Sequence, residues 1–276
     1  MIKMCRKDQG YMRSTITVIK EQINSFYLIR RLSLFEVKSN NNNNYLGMAW
    51  EILNPLIQLA IYWFVFGLGI RGGEPVDGVS FAIWLISGMS IWFFVNQSLL
   101  EGSKSIYTRI NFISKMSFPM SVIPSYVIFS KFYGHLLLVL IIAVILQFVG
   151  FPVSPYMLQL PYFMVCTLVL LVSVSLITST LATIVRDVQM IVTSIVRMLL
   201  YLSPLLWVPD GVIKQIMMVN PLYYIIEGYR SALLGTSWYF IEHSYLTLYF
   251  WGLVIILFII GSALHVKFRS HFVDYL

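Results

Sequence analysis

Charge is what this sequence has least of. Only 11% of its residues are Asp, Glu, Lys or Arg, where soluble domains carry about a quarter. Hydrophobic types make up 58%, more than one water-soluble core accommodates, so the bilayer is the natural solvent for the chain. Cysteine is limited to Cys5 and Cys166. One lies in a polar N-terminal segment and the other in a hydrophobic run, which predicts no disulfide, and without clustered His or Asp they supply no metal site. The first long apolar run begins only near Leu53, too late for a cleavable signal peptide. The N-terminus is therefore expected to stay in the cytoplasm.

Catalytic signatures are also missing. There is no G-x-x-x-x-G-K-S/T phosphate loop, no H-E-x-x-H and no G-x-S-x-G. Ion-coupled carriers place acids or histidines at membrane depth. Here Glu51 and Glu101 sit at the ends of apolar runs, and His135 is alone in its run. The chain carries no visible energy source and is not read as an enzyme.

What is present is a series of apolar segments. A spanning helix needs roughly 20 such residues, and Leu53–Ile70, Val79–Leu100, Val122–Val149, Leu158–Val185, Val188–Val208 and Tyr245–Val266 each qualify. The expectation is an all-α integral membrane protein with six transmembrane helices: residues 1–52 form an N-terminal segment and 53–276 a single membrane domain. Residues 1–14 read as loosely ordered. Over Thr15–Phe35, Ile16, Ile19, Ile23 and Phe26 recur at helical spacing, with Lys20, Glu21 and Asn24 off that stripe. The pattern fits an amphipathic helix lying on the membrane, or an ordinary packed helix. Asn40–Asn44 read as a flexible loop. Between the fifth and sixth spans, Pro209, Pro221, Gly228 and Gly235 interrupt apolar patches too short to cross. Two short helices within 209–235 are expected to enter the membrane from one side and turn back, which requires burial in protein or a wet cavity; the alternative is an interfacial hairpin with no transport role.

Basic residues gather on one set of flanks. Lys3, Arg6, Lys7, Arg13, Lys20, Arg30, Arg31 and Lys38 precede the first span, Lys104, Arg109 and Lys115 follow the second, Arg186 follows the fourth, and Lys267 and Arg269 follow the sixth. The opposite flanks hold only Arg71, Lys214 and Arg230. Positive charge marks the cytoplasmic side, so both termini are expected there. Trp63, Trp84, Trp92, Trp207, Trp238 and Trp251 accompany the apolar runs and suit either interfacial anchoring or stacking on sugars.

The loop after the second span places Ile106, Ile110 and Ile113 at helical spacing among Lys104, Arg109 and Lys115, which suits a short helix offering an apolar face to a partner. Several motifs join it. Tyr45-Leu-Gly-Met-Ala-Trp50-Glu-Ile-Leu-Asn-Pro55-Leu leads into the first span, and Ile61-Tyr-Trp-Phe-Val-Phe-Gly67 continues it. Asn111-Phe-Ile-Ser-Lys115-Met-Ser-Phe-Pro119, Arg186-Asp187, Ser203-Pro204, Asn220-Pro221-Leu222 and Tyr229-Arg230 follow. Together these resemble the type-2 ABC transporter permeases of polysaccharide and polyol phosphate export, over nearly the whole chain. Ile113 and Ser114 depart slightly from the family's loop, and the sequence looks most similar to the permeases of wall teichoic acid export.

The resemblance implies the permease subunit of an ATP-driven exporter in the bacterial cytoplasmic membrane. It would be a homodimer served by two copies of a separate ABC ATPase, which would bind ATP and Mg; the chain itself would hold no cofactor and contact no nucleic acid. The cargo would be a teichoic acid-like polymer on undecaprenyl diphosphate. O-antigen, capsule, drug or small-lipid export are the alternatives within the architecture, and a membrane glycosyltransferase or a channel the alternatives outside it. Tyr107, Arg109, Ile110, Asn111, Phe112 and Lys115 would couple to the ATPase, and the short helices within 209–235 would shape the outer gate. Tyr62, Trp63, Phe64, Arg197, Tyr201 and Trp207 are candidates for the substrate route, with ordinary packing the alternative for the aromatics. Arg197 suits contact with a diphosphate or anionic polymer, or pairing at a dimer interface. Lys131 is expected to snorkel, and Arg186-Asp187 to form a structural pair.

Overall fold

The computed structural model describes residues 2–41, 45–109, 119–270 and 272. Among them lie eleven α-helices and no β-strand. Five helical runs are long and apolar enough to cross a membrane: Trp50–Ile70, Phe81–Lys104, Val122–Phe148, Pro155–Ile184 and Ser244–Phe268.

The N-terminal segment is helical almost throughout. Helix α1 (Ile2–Asn24) and α2 (Phe26–Asn41) meet at a turn on Ser25, so residues 2–14 of the stretch expected to be loosely ordered belong to a helix. Its apolar stripe stays largely exposed at Ile16, Ile19, Ile23 and Phe26, with Phe26 meeting the Phe129 ring edge-on (centroids 6.3 Å). The polar side does the anchoring instead. Glu21 accepts hydrogen bonds from Ser121 Oγ (2.5 Å) and Arg269 (2.6 Å), and Gln22 Nε2 donates to the Ser121 carbonyl (2.8 Å). An amphipathic helix held by its polar edge, with its apolar stripe turned outward, has the geometry of a helix lying on a bilayer.

Helix α3 (Trp50–Tyr62) continues as a π-helical run, Trp63–Ile70. It is peripheral, with only 17% of its apolar window buried, whereas α4 (Phe81–Lys104) has 67% buried and runs through the centre. A tight turn joins them: Asp77 and Gly78 both have positive φ (47° and 78°), and Val76 and Val79 bond each other, the pairing that a D-G turn favours. Around α4 pack α5 (Val122–Phe148), α6 (Leu160–Ile184), α7 (Asp187–Tyr201) and α9 (Pro221–Leu234). Helix α11 (Ser244–Phe268) pairs with α6. In lipid, burial of apolar surface drives helix association weakly, and small residues allow the backbones to approach. Gly261 of α11 shows this: a Cβ there would lie 3.0 Å from the Ser173 carbonyl oxygen of α6.

The fifth expected span, Val188–Val208, is not one helix. Helix α7 stops at Tyr201 after 15 residues, about 22 Å of rise against a hydrocarbon core of about 30 Å. Pro204 explains the stop, since proline disfavours helix at the residue before it and cannot continue the hydrogen-bond ladder. Residues 202–210 follow as irregular chain. The two ends of this segment still lie beside the two ends of α4. Ser103 Oγ donates to Gln189 Oε1 (2.5 Å), while the Pro204 carbonyl shares the Arg230 guanidinium with the Trp84 carbonyl.

The two short helices expected within 209–235 are present as α8 (Gly211–Met218) and α9, followed by the single turn α10 (Tyr239–Glu242). Asn220 caps α9 by accepting from the Leu222 amide (3.0 Å), and Pro221 occupies its first turn. Gly235 ends it in the left-handed conformation, φ 68°.

Candidate functional site

Three of the quoted motifs meet at the Trp84 end of the bundle. Arg230 is 6% exposed. Its Nη2 donates to the Pro204 carbonyl (2.7 Å), its Nε to the Trp84 carbonyl (3.4 Å), and its guanidinium pairs with Glu227 and lies 3.8 Å from the Trp84 ring centroid. Asn220 Nδ2 donates to Ser203 Oγ (3.1 Å), and Tyr229 shares a hydrogen bond with His135 Nε2 (3.0 Å). Ser203-Pro204, Asn220-Pro221 and Tyr229-Arg230 thus join the short helices to α4, α5 and the end of α7. His135 is structural in this setting, buried and stacked on Phe94 at 4.9 Å. Trp84 and Trp92 are buried too, so these two tryptophans are packing residues and not interfacial anchors. The sequence marked Arg230 as a flank charge and as part of the Tyr229-Arg230 motif, but nothing in its neighbours announces burial.

On the side of α4 away from α6, helices α3 and α7 flank a cleft of about 340 Å³ with α4 as its floor. Gln58, Ile61 and Tyr62 of α3, Trp92 and Asn96 of α4, and Val196, Arg197 and Leu200 of α7 line it. Helix α7 is amphipathic: Val192, Val196 and Leu200 are buried against α4 and α6, while Met190, Ile191, Ser194, Arg197, Met198 and Tyr201 face outward. Arg197 stands ten residues into that helix, about 15 Å along it, and has no ion-pair partner among the described residues. Its guanidinium is exposed on the outward face of the helix, open to an anionic partner.

Of the six expected route residues, the structure brings Tyr62 and Arg197 to this cleft. Trp63 (41% exposed), Phe64 (65%) and Tyr201 (57%) point outward beside it. Trp207 is half-buried and donates its Nε1 proton to the Tyr201 carbonyl (3.0 Å). Gln58 and Asn96 were missed. The available signal was an amide inside an apolar run, with Gln58 and Tyr62 one helical turn apart.

At the Lys104 end, Ile110, Asn111, Phe112 and Lys115 of the expected coupling set lie outside the described residues. Tyr107 is half-buried, and Arg109 pairs with Glu36 of α2 while standing 5.9 Å from the Tyr126 ring centroid. Ile106 corrects the sequence reading. It was expected on a partner-facing stripe, but it is 1% exposed and packs with Ile29, Val122, Ile123, Val127 and Phe272. Ile106 belongs to the protomer's own second core. Arg186 and Asp187 are both exposed and form no ion pair among the described residues. Asp187 instead opens α7, where a carboxylate favours the helix dipole. Among the described residues no group of His, Cys, Asp and Glu is placed to hold a metal ion, and Cys166 is a free, buried thiol.

Residues 27–234 match the ABC-2 type transporter family. Two O-antigen export system permease proteins RfbA from Klebsiella pneumoniae are 27% and 26% identical to the chain over 266 residues, covering 94% of it and 99% of each relative. A namesake from Myxococcus xanthus is 21% identical over 221 residues, 78% of this chain and 84% of its own. A multi-pass helical bundle with this match over most of its length belongs to the ABC-2 type transporter family of membrane permeases.

Proposed function

We propose that the chain is the transmembrane subunit of an ATP-driven exporter that moves an undecaprenyl diphosphate-linked cell-surface polymer across the cytoplasmic membrane. The observation that carries this reading is the cleft between α3 and α7, where Arg197, Tyr62, Gln58 and Asn96 put hydrogen-bonding groups at membrane depth. One protomer leaves that cleft open, flanked by the exposed apolar faces of α3 and its π-helical continuation (Leu56, Ile57, Phe64) and of α7 (Ile191, Ile195, Met198). A second copy packed on those faces would close two clefts into one route with a polar lining and a lipid-facing side.

In this reading α7 and the irregular residues 202–208 together make the sixth crossing. Helices α8 and α9 re-enter from the outer side, α1 lies on the inner interface, and both termini are cytoplasmic by the distribution of basic residues. ATP and Mg belong to two copies of a separate ABC ATPase, docked at the loop holding Tyr107, Arg109, Ile110, Asn111, Phe112 and Lys115. For the cargo, the names of the relatives favour an O-antigen-type polysaccharide. The teichoic acid-like polymer rests on the sequence motifs alone.

The test is co-expression with the neighbouring ABC ATPase, purification, and ATP hydrolysis in lipid with and without Ile110→Asp. A stable assembly whose hydrolysis collapses on that change supports the reading. An assembly that does not form, or is indifferent to the change, overturns the docking site.

A further inference from the structure

A second polar cavity lies at the Lys104 end of the bundle, apart from the Arg197 cleft. It encloses about 330 Å³ between α3, α4 and α5, and is lined by Trp50, Glu51, Asn54, Gln97, Glu101 and Lys131, with Asn40 at its edge. That volume falls at the lower end of small-molecule sites, about 300–1,000 Å³. A narrow crevice sharing Glu51, Gln97 and Lys131 continues from it to Gly134 and His135. The first stage of α3 is shaped for this: Pro55 offers no N–H to the Glu51 carbonyl one turn back, and Gly134 leaves room for the Glu51 carboxylate.

The lining is half-open, and most of its polar groups are not tied to one another. Glu51 and Lys131 face the same two cavities with opposite charges, yet neither has an ion-pair partner within 4.0 Å among the described residues. Asn54 and Gln97 likewise make no side-chain hydrogen bond among the described residues. Only Glu101 is engaged, by Lys104 at 2.8 Å. Opposite charges that share a cavity without closing it leave a gap for a ligand with both donors and acceptors. Ionisable groups this close to the membrane are costly unless they serve such a purpose.

We infer that this cavity is a recognition site for sugar hydroxyls on the membrane-anchored cargo, used before the cargo meets the Arg197 cleft. Hydroxyls donate to Glu51 and accept from Lys131, the amides of Asn54 and Gln97 do both, and Trp50, 38% exposed at the rim, offers an apolar ring face to the C–H side of a sugar. With Glu101 held by Lys104, Glu51 and Lys131 leave no net positive charge in the cavity to draw a diphosphate. The inference rests on the transport reading above only for the source of the sugar.

The test uses the permease–ATPase complex in lipid nanodiscs and two radiolabelled probes, farnesyl diphosphate bearing a disaccharide and farnesyl diphosphate alone. The disaccharide probe should bind more tightly than the bare lipid. Glu51→Gln and Trp50→Leu should each weaken it by about tenfold, the loss of one hydrogen bond to a charged group or one ring contact, and leave the bare lipid unchanged. Asn54→Ala, exposed on α3 and harmless to the fold, should do the same more weakly, and Trp50→Phe should restore most of the Trp50→Leu loss. Equal binding of the two probes, or variants that weaken both alike, overturns the sugar site. Basal ATP hydrolysis by the same samples reports separately on the transporter assignment, so a working ATPase with no sugar preference sinks this inference alone.

Discussion

The guanidinium of Arg230 stands 3.8 Å from the ring centroid of Trp84, with its N–H groups spent on the Trp84 and Pro204 carbonyls and on Glu227. One side chain therefore ties α9 to the start of α4 and the end of the α7 segment. Arg230→Met should cost about 2–4 kcal/mol, since it strands two carbonyls and removes a desolvated cation–π contact. Arg230→Lys should recover little, because an ammonium lacks the planar fork. Thermal unfolding in detergent checks both, with loss of packing at the Trp84 end read as a lower midpoint.

Helix α9 also comes close to α6 at Gly228, where any Cβ would collide with the Phe163 ring. Gly228→Ala should destabilise by about 1–3 kcal/mol through overpacking. Adding Phe163→Leu should return part of the loss, because it frees the colliding ring atoms, and a double-mutant cycle on the same unfolding signal measures the coupling.

Much of this architecture was legible before any coordinates. Long uncharged runs specify spans because the bilayer rewards them directly, and five of the six appear within a few residues of their expected limits. The Pro and Gly punctuation of 209–235 likewise marked two short helices. The sequence misled where one pattern serves two environments. Ile106 carries a partner-facing spacing but fills a core with Phe272, which lies far along the chain. Arg230 reads as a flank charge because burial by Trp84 is a long-range fact. Val188–Val208 looked like one span because hydropathy does not register the stop that Pro204 imposes. Of the route residues, Tyr62 and Arg197 were found through chemistry rare in an apolar run, while Gln58 and Asn96 were passed over as ordinary amides.

Glu36 and Arg109 pair across α2 and the start of the loop, both side chains under one-fifth exposed. If that pair steadies the loop proposed to dock the ATPase, Glu36→Arg and Arg109→Glu should each reduce ATP hydrolysis by the assembled complex. The double exchange should restore most of it, with an interaction energy of about 1 kcal/mol. Hydrolysis by the purified assembly is the measurement. Singles and double that fall alike would show the pair to be irrelevant.

Arg197 has no protein partner among the described residues, so its replacement should spare the fold. Arg197→Gln should leave expression and unfolding temperature unchanged and lower export by about tenfold, the loss of one charge-assisted hydrogen bond to an anionic cargo. Arg197→Lys should retain more activity than Arg197→Gln. Surface display of the polymer in cells carrying each variant reads this out.

The most direct measurement is transport itself. The permease and its ATPase, reconstituted together in vesicles loaded with a lipid-linked glycan, should make that glycan accessible to an external lectin only when ATP and Mg are supplied on the ATPase face, and Arg197→Gln should slow the signal. Accessibility that appears without ATP, or that ATP does not change in an intact assembly, would contradict the account.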